Sequence, residues 1–212
     1  MFGFLSLLFQ SPTLLGSLAL SAAALLTAIT IHEFAHALTA DRLGDPTPRL
    51  QGRLTLNPLA HLDPIGTIML LVAGFGWGKP VIFDPYNLEN PKRDAALISI
   101  AGPASNIILA SVLSLIYRIY PSAFIIPFVT LNISLAIFNL VPVHPLDGGK
   151  IIAGILPARQ ARIWDAILNR YGLILLLFLI FPIFGGSSII SLVISPVINL
   201  LINLYLPGVG VV

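Results

Sequence analysis

LLGSLALSAAALLTAITIHEFAHALTA, residues 14–40, is the stretch on which the fold turns. From Leu14 to Thr30 it carries no charge. Then His32, Glu33 and His36 enter without interrupting the apolar pattern. A helix that crosses a bilayer needs about 20 mostly apolar residues. A carboxylate at the end of such a helix costs several kcal/mol unless something compensates it, so an ionisable group there marks a functional site by default. No Lys/Arg-rich leader precedes the run and no small-residue cleavage site follows it, so it reads as a retained span rather than a removed signal.

The rest of the chain agrees. Of the 212 residues, 57% are hydrophobic and 9% charged, against roughly 25% charged in an ordinary soluble domain. Mean hydropathy is +0.96. A water-facing surface cannot be built from so few charges. This excludes a soluble enzyme, a nucleic-acid-binding protein and a disordered chain, and makes the lipid bilayer the solvent for most side chains. The chain has no cysteine, which excludes disulfides, thiolate metal sites and cysteine nucleophiles. A net charge of +2 reflects few charges rather than a basic patch.

Four further apolar runs follow the first: Ala95 to Tyr120, about Ser122 to Val141, Tyr171 to Phe184 ended by Gly185-Gly186, and Ile189 to Leu206 with Pro196 inside. Residues 65–77 are apolar but short, which suggests a re-entrant segment. Charge supports that reading. Arg42, Arg49 and Arg53 precede the segment, and Lys79, Lys92 and Arg93 follow it. If both flanks share one side, residues 41–94 and 142–170 together hold the Lys/Arg excess that marks cytoplasmic loops. The sequence thus predicts an all-α polytopic membrane protein. It is a bundle of five to six transmembrane helices with a short re-entrant segment over 65–77 and a short β-hairpin or edge strand over 47–63 at the cytoplasmic rim. It is expected to be one domain over 1–212, with a catalytic core over about 14–155 and accessory helices over about 171–206, sitting multi-pass in the cell membrane.

His32-Glu33-Phe34-Ala35-His36 matches H-E-x-x-H. Residues four apart share a helix face, so both imidazoles can reach one metal ion with Glu33 alongside. Zinc suits two imidazoles and a carboxylate, with a position left open for water, and Glu33 can serve as general base. Two histidines leave zinc under-coordinated. The best third ligand is Asp147 in NLVPVHPLDGG, residues 139–149, where prolines end a helix and Gly148-Gly149 let the backbone turn. The topology puts Asp147 on the same side as His36. His144 and His61 are rival third ligands.

HEFAH in a membrane helix, AGPASN over 101–106 and NLVPVHPLDGG resemble the site-2 protease family of intramembrane zinc metalloproteases. NPLAHLDPIGT (57–67) and GWGKPV (76–81) are similar to its compact prokaryotic branch, and 41–94 is too short for a PDZ-like insertion. The resemblance covers about residues 18–155. It implies one zinc ion per chain on His32, His36 and Asp147, with Glu33 as catalytic base. It further implies that Asn106 and Asn139 position the substrate or polarise its carbonyl. His144 departs from several relatives, which have proline there. The expected substrate is a transmembrane segment of another protein, locally unwound at the cut and open to strand addition along 47–57. A metal-ion transporter is the competing reading, though its His and Asp groups would be expected through the full depth. Serine-type and paired-Asp mechanisms lack their residues.

Overall fold

The computed structural model describes residues 12–73, 76–184 and 187–209. The described chain is predominantly helical. Helix α1 spans Pro12–Arg42, α2 is the single turn Thr47–Leu50, and α3 runs Pro64–Ala73. They are followed by α4 (Pro91–Ile119), α5 (Ile126–Asn139), α6 (Asp147–Ile155), α7 (Ala158–Ile180) and α8 (Ile189–Tyr205). Strands β1 (Pro182–Phe184) and β2 (Ser187–Ser188) form a small antiparallel ribbon before α8. Among the described residues three helices, α1, α4 and α7, are long and apolar enough to cross a membrane, while α5 and α8 are shorter apolar helices. Helices of this length and composition are those of a membrane protein.

Helix α4 is the hub, packing against α1, α5 and α6, while α8 packs on α5 and α6 on α7. On α1 the buried positions Ala24, Ala28, His32, His36 and Ala40 recur every four residues, one face of a helix. The alanines carry only a methyl group, so helices approach closely along this seam, as small residues allow in membranes. Below the seam Ala110, Val129 and Ile133 pack with Ile202 and Leu206 of the C-terminal helix region. Outward-facing Leu18, Ile108, Leu115, Leu173, Ile174, Leu192 and Leu200 are exposed. Such a belt would be a liability in water and suits lipid contact.

Helix α1 ends in a capping motif. Asp45 N–H donates to Ala40 O at 3.0 Å and Gly44 N–H to Asp41 O at 3.3 Å, with Gly44 at φ +104°. That is the left-handed residue such a cap requires. The next residue anchors the rim. The Asp45 carboxylate, fully buried, accepts from Thr47 N, Thr47 Oγ1, Asp84 N and Asn87 Nδ2 at 3.0, 2.6, 2.7 and 2.8 Å. Burial works to raise its pKa, but these donors outweigh it and hold the carboxyl below its ordinary value.

Two expectations need correction. The 47–63 segment is no β-hairpin: it folds as α2, then a 3-10 turn over Pro58–His61 capped by Asn57. Its one bridge joins Leu62 to Gly78, outside the segment. Pro46, Pro48 and Pro58 have no N–H to offer a ladder. The fourth apolar run begins earlier than hydropathy suggested. Helix α7 starts at Ala158, after Pro157, because ARQARIWDAILNR is rich in good helix formers that carry the helix past the apolar boundary. It stops at Ile180, where Phe181 is extended before Pro182. Gly185-Gly186 and residues 74–75 lie outside the described residues.

Candidate metal centre

The i,i+4 spacing on α1 puts the two imidazoles side by side, and the start of α6 brings Asp147 between them. His32 Nε2 lies 3.0 Å from His36 Nε2. Asp147 Oδ2 lies 3.1 Å from the first and 3.3 Å from the second. The opposite edge of each ring is already committed. His32 Nδ1 bonds Asn106 Oδ1 at 2.6 Å, and His36 Nδ1 bonds Ile98 O at 2.7 Å. Both partners are acceptors. Ile98 O is a carbonyl. The Asn106 amide is oriented by its Nδ2, which donates to Ala28 O at 3.0 Å and to Asn132 Oδ1 at 2.7 Å. Asn132 is oriented in turn by donating to Phe128 O at 2.7 Å. Each Nδ1 therefore carries the proton, and each Nε2 presents a lone pair.

Three electron-pair donors thus converge with no hydrogen between them, and Asp147 Oδ2 is buried without a hydrogen-bond partner. Such a cluster is repulsive unless a cation occupies it. The spacing fits zinc: donors at 2.0–2.1 Å from a tetrahedral ion lie about 3.3 Å from one another. His32, His36 and Asp147 form the one such metal-capable group among the described residues. His61 and His144 are not part of it. His61 Nε2 bonds Thr55 O at 2.8 Å. His144 packs beside Gly172; burial and nearby Lys150 push its imidazole below the ordinary value, against the pull of Asp165.

Glu33 stands outside the cluster. Its Oε2 accepts Val81 N–H at 2.9 Å, and Val81 belongs to the segment that follows α3. Lys150, one turn after Asp147, lies with Nζ 4.8 Å from the Phe83 ring centre.

The matrix of small residues matters as much as the ligands. A Cβ on Gly102 would lie 2.7 Å from His32 Cε1 and nearer still to the His36 ring. Helix α4 can lie against both imidazoles only because position 102 has no side chain.

The family model described as Peptidase family M50 matches residues 117–180. "Putative zinc metalloprotease YwhC" of Bacillus subtilis is 40% identical over 190 residues, covering 82% of this chain and 84% of that protein. The chain belongs to peptidase family M50. Two proteins named "Putative zinc metalloprotease Rip2" are also similar. The Mycolicibacterium smegmatis protein is 33% identical, over 74% of this chain and 65% of its own length. The Mycobacterium tuberculosis protein is 32% identical, over 58% of this chain and 52% of its own length. No solved structure matches. Membership agrees with the resemblance to site-2 proteases read from the motifs, and with one zinc ion on the His/His/Asp cluster.

In this M50 peptidase the two asparagines expected to meet substrate sit differently. Asn106 is fully buried; its Oδ1 is taken by His32 and its Nδ2 by Ala28 O and Asn132. In this geometry Asn106 orients the His32 ring. Asn139, half-buried at the end of α5, donates to Leu135 O at 3.0 Å. Sequence reading missed Asn132, Gly102 and the Val81 amide. Asn132 did leave a signal, being an amide in the middle of an apolar helix.

Asp147→Ala is expected to lose most of the zinc, because two neutral imidazoles remain and the only anionic donor is gone. Elemental analysis of the purified protein checks this. Full retention would transfer the third position to another group.

Proposed function

We propose that this M50 peptidase is an intramembrane zinc metalloprotease that hydrolyses peptide bonds within or near transmembrane segments of other membrane proteins. The observation that carries the reading is the convergence of His32 Nε2, His36 Nε2 and Asp147 Oδ2 at 3.0–3.3 Å, one residue along from a carboxylate that takes no part in it. His32, His36 and Asp147 hold the ion, which when bound supplies Lewis acidity to the scissile carbonyl. Glu33 is the general base. It takes a proton from the attacking water as the new C–O bond forms, and delivers it to the amine nitrogen as the C–N bond breaks. Asn106 and Ile98 O keep both imidazoles in the tautomer that offers Nε2. Asn139 remains a candidate substrate contact. The site lies among α1, α4 and α6, and a transmembrane substrate would have to unwind to expose a carbonyl there, which helix-weak residues near the cut would favour.

The chain is read as one domain with five spans, α1, α4, α5, α7 and α8. Helix α3 is 10 residues long, about 15 Å at 1.5 Å per residue, half the hydrocarbon thickness of about 30 Å. That length favours a re-entrant segment over a sixth span. The Lys/Arg excess of 41–94 and 142–170 supports a cell-membrane orientation with the metal side towards the cytoplasm. Transport of a metal ion has no relative behind it.

The purified protein, incubated with a model transmembrane substrate, is expected to cleave it, to stop on addition of a chelator, and to resume when zinc is restored. Chelator-insensitive cleavage would reject the mechanism. For orientation, a cysteine placed at Asn90 is the only one in the chain and should resist an impermeant thiol reagent added outside. Its labelling from outside would overturn the re-entrant arrangement.

A further inference from the structure

Arg53 is an unusual arginine. It is 4% exposed, and among the described residues no carboxylate lies within ion-pair distance of it. Its partners are carbonyls: Nη1 donates to Ala60 O and to Lys79 O at 3.3 Å, and Nη2 to Pro80 O at 3.5 Å. Buried charges are ordinarily matched by a counter-ion, and here multiple hydrogen bonds take that place. The bonds converge on residues 79–80. The same stretch is held again where Lys79 N–H donates to His61 O at 2.9 Å. The next amide along, Val81 N–H, is the one that meets Glu33 Oε2.

We propose that Arg53 is a positioning residue for the general base: by gathering the carbonyls of Ala60, Lys79 and Pro80 it presents Val81 N–H to Glu33. The inference rests on the reading of Glu33 as general base. A carboxylate in that role must stay off the metal while keeping one oxygen available to water. An N–H fixed on Oε2 meets both needs: it restrains the side-chain torsions and leaves Oε1 to carry the proton. The flat guanidinium fork spans several carbonyls, whereas an ammonium is a single point charge. A displacement of about 1 Å in a catalytic group can slow a reaction about a hundredfold.

The chain has two glutamates, Glu33 and Glu89. Carboxyl-13C glutamate in a Glu89→Gln background therefore reports Glu33 alone. Its carboxylate stretch is read by infrared spectroscopy at one fixed pH in the full-length protein, beside zinc content and steady-state cleavage. Arg53→Met and Val81→Pro are expected to move the band in the same direction. Val81→Ala, which keeps the amide, should leave the band in place. Zinc stays bound in the first two, kcat falls at least about tenfold, and KM stays within about twofold. A merely structural Arg53 would lower thermal stability and leave the band and kcat unmoved. If Arg53→Met does not fold, Arg53→Lys keeps the charge without the fork and carries the same readout. A band that shifts in neither Val81→Pro nor the folded Arg53 variants overturns the proposal, as does a shift in Val81→Pro alone. Absence of cleavage by zinc-loaded wild type, with the band shifts present, overturns the protease reading and leaves the Arg53–Val81–Glu33 contact supported.

Discussion

Glu33→Gln holds zinc at the wild-type level and cleaves a transmembrane substrate at least about a hundredfold more slowly. Glutamine preserves shape and can still accept Val81 N–H, so the geometry around α1 survives. What it loses is basicity. General acid–base catalysis is worth about 10²–10⁴-fold, and here one carboxylate serves both the attack and the departure of the amine. A purely structural Glu33 predicts little change. Zinc content and cleavage measured on the same preparation separate the two. Wild-type turnover by the variant would remove Glu33 from the mechanism, and altered metal flux without peptide products would revive the transporter reading.

Gly102→Ala is expected to strip the ion and abolish detectable cleavage through a single methyl group. That methyl would sit 2.7 Å from His32 Cε1 and closer to the His36 ring, so α4 or the rings must retreat. The rings cannot retreat freely, because Asn106 Oδ1 and Ile98 O hold their Nδ1 edges, and both of those partners sit on α4 itself. Moving α4 drags the imidazoles off the shared point with Asp147, and a misplacement of about 1 Å costs about a hundredfold. Gly16→Ala is the matched control: it lies in α1, with nothing within 4 Å of the added carbon, and should keep both zinc and activity. Full zinc occupancy in Gly102→Ala would show that α4 yields without disturbing the ligands.

The local part of the centre was legible in the sequence, because i,i+4 spacing fixes which side chains share a face, and His32 and His36 needed nothing else. Asp147 was a candidate from helix-ending prolines and the glycine pair, but its place against the imidazoles depends on how α6 meets α4, which no local pattern encodes. The atoms that set the tautomers were out of reach for another reason. Ile98 O and Val81 N–H are main-chain groups, present at every position, and only the tertiary fold selects which of them matters. Asn106 was found but its bond to His32 was not, since one amide in a membrane helix looks the same whether it faces a ligand or a neighbour. The rim misled because partial alternation over 47–63 suggested a strand, while Pro46, Pro48 and Pro58 had already removed the ladder donors.

Asp45 has a consequence for how the rim can vary. Its carboxylate joins the end of α1 to Asp84 and Asn87, so the intervening chain is a loop closed at its neck. The entropy lost in closing such a loop grows only logarithmically with its length, about 0.6 kcal/mol for each doubling. Extra residues at an exposed tip, near Leu50 to Gly52, would therefore weaken the closure little. Loss of the neck carboxylate acts differently: it loosens both ends at once, and Val81, three residues from the neck, loses one of the tethers that keep it beside Glu33. The rim can lengthen at its tip with small effect, while its register against α1 rests on a buried aspartate at the neck together with the Arg53 contacts further in.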